Sequence, residues 1–192
     1  RRTLQAIQAC RTPALRGHRY GCTHCGKTHW VAHSCRKRHC PNCQGAAAIR
    51  WLIHQQAALL PVGYFHLVFT LPHTLNLLIR QNQAVLFKLL FDTAAATLVD
   101  FGRENLQAQI GVTAVLHTWS QTLLDHYHLH CVVTGGGLSL DGARWIHSHP
   151  RYLFPVRALS QVFRARFCEG LRELHAQGRL VFHGQIQNLQ TP

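Results

Sequence analysis

The chain has 192 residues, enough for a small module and one domain, and its 47% apolar content can bury a core, which excludes disorder as a global description. Twenty Lys and Arg against seven Asp and Glu give a net charge of +13 with the histidines neutral, a balance that points to a polyanionic partner. No apolar run reaches the ~20 residues that span a bilayer, so a membrane-spanning helix is excluded and no membrane partner is expected.

The charge is uneven. No acidic residue precedes Asp92, while twelve Arg and Lys lie in the first 91 positions, so the N-terminal part carries the basic face. Clustered Cys and His without a leader segment fit metal binding in a reducing compartment better than a disulfide framework, and a soluble cytoplasmic protein is expected. The chain contains no methionine, even at position 1, and reads as a fragment.

In chain order, residues 3–9 suit a short helix, and 10–44 form a metal-nucleated module. Cys22-Thr-His-Cys25 and Cys40-Pro-Asn-Cys43 have the spacing at which a tight turn aims two thiolates at one ion. Cys22, Cys25, Cys40 and Cys43 are therefore expected to hold a structural Zn²⁺. Cys10, His18, Cys35 and His39 offer four more donors, enough for a second zinc interleaved with the first; the alternative is that these cysteines are small buried hydrophobes and the histidines solvated. Arg36, Lys37 and Arg38 lie among the ligands, and with Arg16, Arg19, Lys27 and Arg50 they are the candidate phosphate contacts. Trp30 and Trp51 could stack on unpaired bases or serve as core.

Residues 45–60 have the alanine and leucine content of a helix. Pro61 and Gly63 then punctuate the chain, which sets a boundary between a DNA-recognition module at 1–60 and a domain at 61–192. Tyr64 to Thr70 is a β-branched and aromatic run, read as a strand ended by Pro72. A long helical region is expected over roughly 74–104, strands over 109–120 and 126–134 as hairpin neighbours, and a break at Gly135-Gly-Gly137. A further hairpin over Leu138 to Ile146 and a helix over 157–177 ended by Gly178 follow. The class is α+β: a small zinc-nucleated module, then a mainly antiparallel sheet covered by helices on one side.

Residues i and i+2 of a strand share a face, so His128 and His130 project together while Tyr127, Leu129 and Cys131 project the other way. Two imidazoles fixed by the pleat suit a divalent ion; the plainer alternative is a polar strand face.

The order of these features resembles the two-tyrosine, rolling-circle transposases of bacterial insertion sequences, a branch of the HUH endonuclease superfamily. The zinc-binding part is similar to Cys10…Gly17-His18…Cys22-x-x-Cys25…Ser34-Cys35-Arg36-x-Arg38-His39-Cys40-Pro41-x-Cys43-Gln44. The catalytic part resembles Phe65-His66-Leu67-Val68-Phe69-Thr70-Leu71-Pro72, Leu116-His117-Thr118-Trp119-x-Gln121, His128-Leu129-His130 and Cys131-Val132-Val133-x-Gly135-Gly136-Gly137-Leu138. The resemblance runs from residue 10 to about 183 and implies an HUH (Rep-like) sheet.

It further implies that His128 and His130 hold Mg²⁺ or Mn²⁺ against the scissile phosphate of single-stranded DNA or a hairpin element end, while a tyrosine attacks to leave a 5′-phosphotyrosyl link. Gln121 is the best candidate for the third ligand, with His117, His126 and His66 as competitors. The family's tyrosines lie on a helix well downstream of the glycine triplet. Tyr20, Tyr64, Tyr127 and Tyr152 do not match that arrangement, so the expectation is DNA transposition by the complete protein and no tyrosyl adduct from this chain. The resemblance also implies a bacterial cytoplasmic protein associated with the nucleoid. The rival readings are a non-catalytic zinc-dependent DNA-binding protein and a zinc-containing RNA-binding module.

Overall fold

The computed structural model describes residues 2–122 and 124–189; Leu123, inside the expected link between two strands, lies outside them. The chain forms two units, Arg1–Pro61 and Val62–Pro192.

In the first unit, helix α1 (Arg2–Gln8) leads through a single 3-10 turn to an antiparallel hairpin of β1 (Gly17–Gly21) and β2 (Thr28–Ala32), followed by helix α2 (Pro41–Ala57). Helix α2 starts where Pro41 takes the first helical position after Cys40, so proline's missing N–H costs no intrahelical bond. Among the described residues of this unit, the buried apolar side chains are Cys10 and Cys40. Two thiols are no hydrophobic core, so burial cannot hold this unit together and the cysteines must do so through a metal.

The second unit is a sheet of β3 (Tyr64–Thr70), β4 (Ala108–Trp119), β5 (Asp125–Ser139) and β6 (Trp145–His147), all antiparallel, in the order β3-β5-β4 with β6 also paired to β5. Helices α4 (Gln83–Leu106) and α5 (Val156–Ala176) cover one face. Helix α4 buries Leu86, Leu90, Thr93, Ala94, Thr97, Leu98 and Phe101, a three-and-four spacing that lays one stripe against the sheet. The sheet answers with alternate residues, Tyr127, Leu129, Cys131 and Val133 of β5 and Phe69 of β3, all buried. Each such large apolar side chain contributes about 1.5–3 kcal/mol. The α+β class and the antiparallel sheet agree with the sequence; so does Gly178, whose φ of 66° ends α5.

The helical region expected over 74–104 is present as two helices, α3 (Asn76–Gln81) and α4, parted at Asn82. The buried Asn82 amide donates to Leu78 O and Val181 O, both at 2.9 Å, and its oxygen accepts from Val181 N at 2.7 Å, so the side chain replaces helical bonds and ties down the segment after α5. One expectation is corrected: the glycine triplet does not break its strand, and Gly135 to Gly137 run inside β5, which extends to Ser139.

The other face of the sheet is open, with Val68 45%, Val115 41% and Val132 41% exposed. Strand alternation puts His66, His117, His128 and His130 on this same open face.

Candidate metal centres

The thiols of Cys10, Cys35, Cys40 and Cys43 converge, with the four sulfurs within 4.8 Å of one another. Cys10 Sγ lies 3.4 Å and Cys35 Sγ 3.6 Å from Cys43 Sγ. Main-chain N–H groups point at the sulfurs as they would at thiolates: Cys35 N to Cys10 Sγ at 3.4 Å and Lys37 N to Cys35 Sγ at 3.5 Å. Burial pushes the Cys43 thiol up, but hydrogen bonds from Cys10 and Cys35, with the Arg36 N–H, outweigh it and bring it down to about 7. The Cys35 N–H favours a Cys10 thiolate, yet burial and the bonds to Cys43, Cys40 and Cys35 prevail and push it up to about 12. One thiolate thus forms readily and its neighbour resists, the behaviour of a packed thiol set that a divalent cation would resolve. Four sulfurs with this packing fit a tetrahedral zinc.

The four that lie together differ from the expected set of Cys22, Cys25, Cys40 and Cys43. Cys22 and Cys25 are exposed and stand outside the cluster, as do the exposed His18 and His39. The reason is the hairpin. Cys22 and Cys25 occupy its tip, where Cys22 N donates to Lys27 O at 2.8 Å and Gly26 turns the chain at φ 68°. Cys10 and Cys35 flank its base, where Arg11 N donates to His33 O at 3.1 Å. Five strand residues separate base from tip, roughly 16 Å at strand rise, too far for one ion. Near that base the His18 ring lies 4.6 Å from that of His33, and His39 Nε2 accepts from Arg38 Nε at 3.4 Å. The signal that separates the two Cys-x-x-Cys pairs was present in the β-branched and aromatic run between them, which makes the first pair a hairpin turn. Arg16, Arg19, Lys27, Arg36, Lys37, Arg38 and Arg50 are all exposed.

On the open face of the sheet, ring nitrogens of His117, His128 and His130 lie within 4.8 Å of one another. His117 and His128 are direct cross-strand partners, and His130 follows two residues on. The second-sphere bonds orient the rings. His128 Nδ1 is 2.8 Å from the carbonyl of His126, and His130 Nδ1 is 2.7 Å from His66 Nε2. A proton on each Nδ1 satisfies these contacts and leaves both Nε2 lone pairs free. Burial holds His130 below the usual imidazole range, helped by the charges of His117, His128 and His66, which keeps it neutral and able to ligate. The donor set fits a divalent cation.

Gln121, the favoured third ligand in the sequence, is an exposed turn residue on the rim of the same cavity, about 610 Å³, lined by His117, Trp119, His126, His128 and His130. His117, one of the competing candidates, brings a third ring nitrogen beside the pair, because the β4–β5 register sets it opposite His128. A register shift between His117 and Trp119 follows at once, and irregularities of this kind turn side chains beside sites. The His126 ring lies 4.7 Å from that of His128, tilted by 38°, with its Nδ1 buried and unpartnered; burial lowers its pKa, with His128 and His73 adding to the effect. Tyr127 points to the core, its ring 5.7 Å from Phe87. Asp125 is ion-paired with Arg80 at 2.5 Å.

Comparison with known proteins agrees with a zinc-held N-terminal unit. Residues 1–71 match the family model described as a transposase zinc-binding domain, and residues 111–191 match the one described as "Putative transposase". The chain is 47% identical over 191 residues to a protein of Sinorhizobium fredii named putative transposase y4qJ, covering 98% of this chain and 48% of that one. It is 34% identical over 142 residues to the transposase for insertion sequence element IS801 of Pseudomonas savastanoi pv. phaseolicola, covering 73% of this chain and 34% of that one. The chain thus spans about half or less of the length of the curated relatives it matches. Among solved structures it is similar to the conjugative relaxase TrwC in complex with oriT DNA, at 19% identity and a TM-score of 0.44, over 57% of this chain and 43% of that one. With a zinc-binding unit matched at its N-terminus and a transposase unit behind it, the chain belongs to the rolling-circle transposases of insertion sequences.

Proposed function

We propose that this chain serves DNA transposition: its zinc-held unit, Arg1–Pro61, binds DNA, and its sheet unit, Val62–Pro192, is part of the catalytic domain that nicks and rejoins single-stranded DNA in the complete protein. The observation that carries the reading is the convergence of His117, His128 and His130 on the solvent-facing side of the sheet, with both oriented Nε2 atoms free. Imidazole ligates in its uncharged form and Asp125 is paired with Arg80, so a divalent ion held here would keep its full charge for an anionic ligand. When bound, such an ion supplies Lewis-acid stabilisation of charge on a phosphodiester. Imidazole donors favour Mn²⁺ over the oxygen-preferring Mg²⁺. His66 and the His126 carbonyl fix ring orientation, and Gln121 lies where it can contact the bound strand. Function in the bacterial cytoplasm, at the nucleoid, follows from the partner; among the described residues no helix is long and apolar enough to cross a membrane.

Titration of the zinc-loaded chain with Mn²⁺ by calorimetry tests the reading. His128→Ala is expected to weaken Mn²⁺ by at least tenfold, since one of three ligands is lost. Equal affinity for wild type and variant would make the histidine face a mere polar surface and favour the non-catalytic DNA-binding alternative.

The four tyrosines give a second expected result. Tyr127, nearest the histidines in sequence, is on the far side of the sheet and 3% exposed. Incubated with hairpin-bearing single-stranded DNA and Mn²⁺, this chain yields no covalent protein–DNA species on a denaturing gel; an adduct mapped to Tyr20, Tyr64, Tyr127 or Tyr152 would contradict the assignment.

A further inference from the structure

The N-terminal unit carries a groove of about 910 Å³ along its hairpin, lined by Arg11, Arg36, His18, His29, His33 and Trp30 among others. We infer that this groove is a binding site for one unpaired nucleotide of single-stranded DNA, with its base stacked on Trp30 and its phosphate held by Arg11 and Arg36.

The indole is a built platform. Trp30 lies against the backbone of Gly17, where a Cβ would come within 2.6 Å of the Trp30 ring, so only glycine lets the indole lie this close. The remainder of the side chain faces solvent, leaving the residue 48% exposed. A flat ring backed by main chain on one side and open on the other loses little entropy when a base covers it.

The backbone that carries the two arginines is fixed. Arg11 and Arg36 have φ of 59° and 51°, left-handed conformations that glycine adopts at less cost. Arg11 follows Cys10 and Arg36 follows Cys35, both members of the thiol cluster, so the metal site fixes each backbone. Arg16, a third arginine with positive φ at 61°, accepts the His33 N–H at 2.9 Å while Arg11 N–H donates to His33 O at 3.1 Å, which clamps the far wall of the groove. Strain kept at two guanidinium-bearing positions beside one aromatic platform fits preorganised recognition of a charged, planar ligand. No carboxylate lines the groove, and the unit has no acidic residue to compete with a phosphate. An unpaired base is required because a paired one is stacked and edge-bound within its duplex and cannot lie flat on a protein ring.

This inference rests on the reading of the chain as a single-strand DNA binder but not on the histidine centre, so the test uses the whole zinc-loaded chain with no added divalent cation. Fluorescence anisotropy compares a short oligothymidylate with a strand of equal length made of abasic deoxyribose phosphates, which has the same charge and no bases. Wild type is expected to bind the thymidylate at least tenfold more tightly. Trp30→Leu removes that discrimination while keeping residual salt-dependent binding, Trp30→Tyr retains most of it, and Arg36→Gln weakens both strands. Zinc content of one per chain verifies that each variant is folded. The same discrimination is expected in a His128→Ala background; its persistence there, whatever that variant does to Mn²⁺ affinity, separates this site from the histidine centre. Discrimination unchanged in Trp30→Leu, equal affinity for duplex DNA, or tighter binding of oligouridylate would each overturn the proposal.

Discussion

Serine at Cys40 strips the zinc and unfolds the N-terminal unit, whereas serine at Cys22 leaves the zinc in place. The expected difference is large because the unit has almost nothing else to hold it. Cys40 is fully buried, sits immediately before the first turn of α2 and is one of four converging sulfurs, while Cys22 is exposed at the hairpin tip. Structural zinc in small modules contributes about 10–16 kcal/mol of apparent binding free energy, which here is folding free energy. Loss of a ligand should therefore cost several orders of magnitude in zinc affinity. Elemental analysis of purified protein should give one zinc per chain for wild type and for Cys22→Ser, and none for Cys40→Ser. Amide exchange should show loss of protection across β1, β2 and α2 in Cys40→Ser with the sheet unit unaffected. Two zinc ions per wild-type chain, or loss of zinc in Cys22→Ser, would restore the Cys22/Cys25 pair as ligands and sink the four-thiol assignment.

What the sequence disclosed follows local chemistry, and what it concealed follows pairing. The strand period put His128 and His130 on one face and Tyr127 on the other, because alternation is a property of the strand alone. The third imidazole could not be chosen from the same information. His117 and Gln121 both precede β5 by a short connection, and only the register, which pairs His117 with His128, separates them. The zinc donors divide in the same way. Two Cys-x-x-Cys pairs are each competent locally, but the hairpin carries one of them away from the other, while Cys10 and Cys35, with no motif of their own, are drawn together at its base. Asn82 was hidden in an otherwise helical stretch since the partner that interrupts the helix, Val181, lies 99 residues away.

The glycine triplet misled for a related reason, and its true role makes the second strong prediction. Gly135, Gly136 and Gly137 look like a turn but lie where β5 is crowded by main chain on several sides. A Cβ on Gly137 would sit 2.4 Å from Gln109 O and 2.6 Å from Gln109 C in β4. One on Gly136, whose φ is 130°, would lie 2.2 Å from Ile146 O in β6, and one on Gly135 would be 2.8 Å from Gly63 O. None of these neighbours is a side chain that could rotate away, so relief requires the strands to separate. Gly137→Ala is therefore expected to destabilise the sheet unit by about 3 kcal/mol, the upper end of ordinary overpacking, and to lower its Tm by roughly 10 °C. Gly142→Ala is the control: its φ of 74° also disfavours a side chain, but no atom lies within 4 Å of the added carbon, so the cost should stay near 1 kcal/mol. The consequence reaches the metal centre, because the same strand carries His128 and His130 and the register of β4 on β5 is what sets His117 across from His128. Mn²⁺ affinity should fall in Gly137→Ala although the substituted carbon touches no ligand, and should be unchanged in Gly142→Ala. Equal stability and equal Mn²⁺ affinity in the two variants would show that β5 yields easily at the triplet and that register does not hold the three imidazoles together.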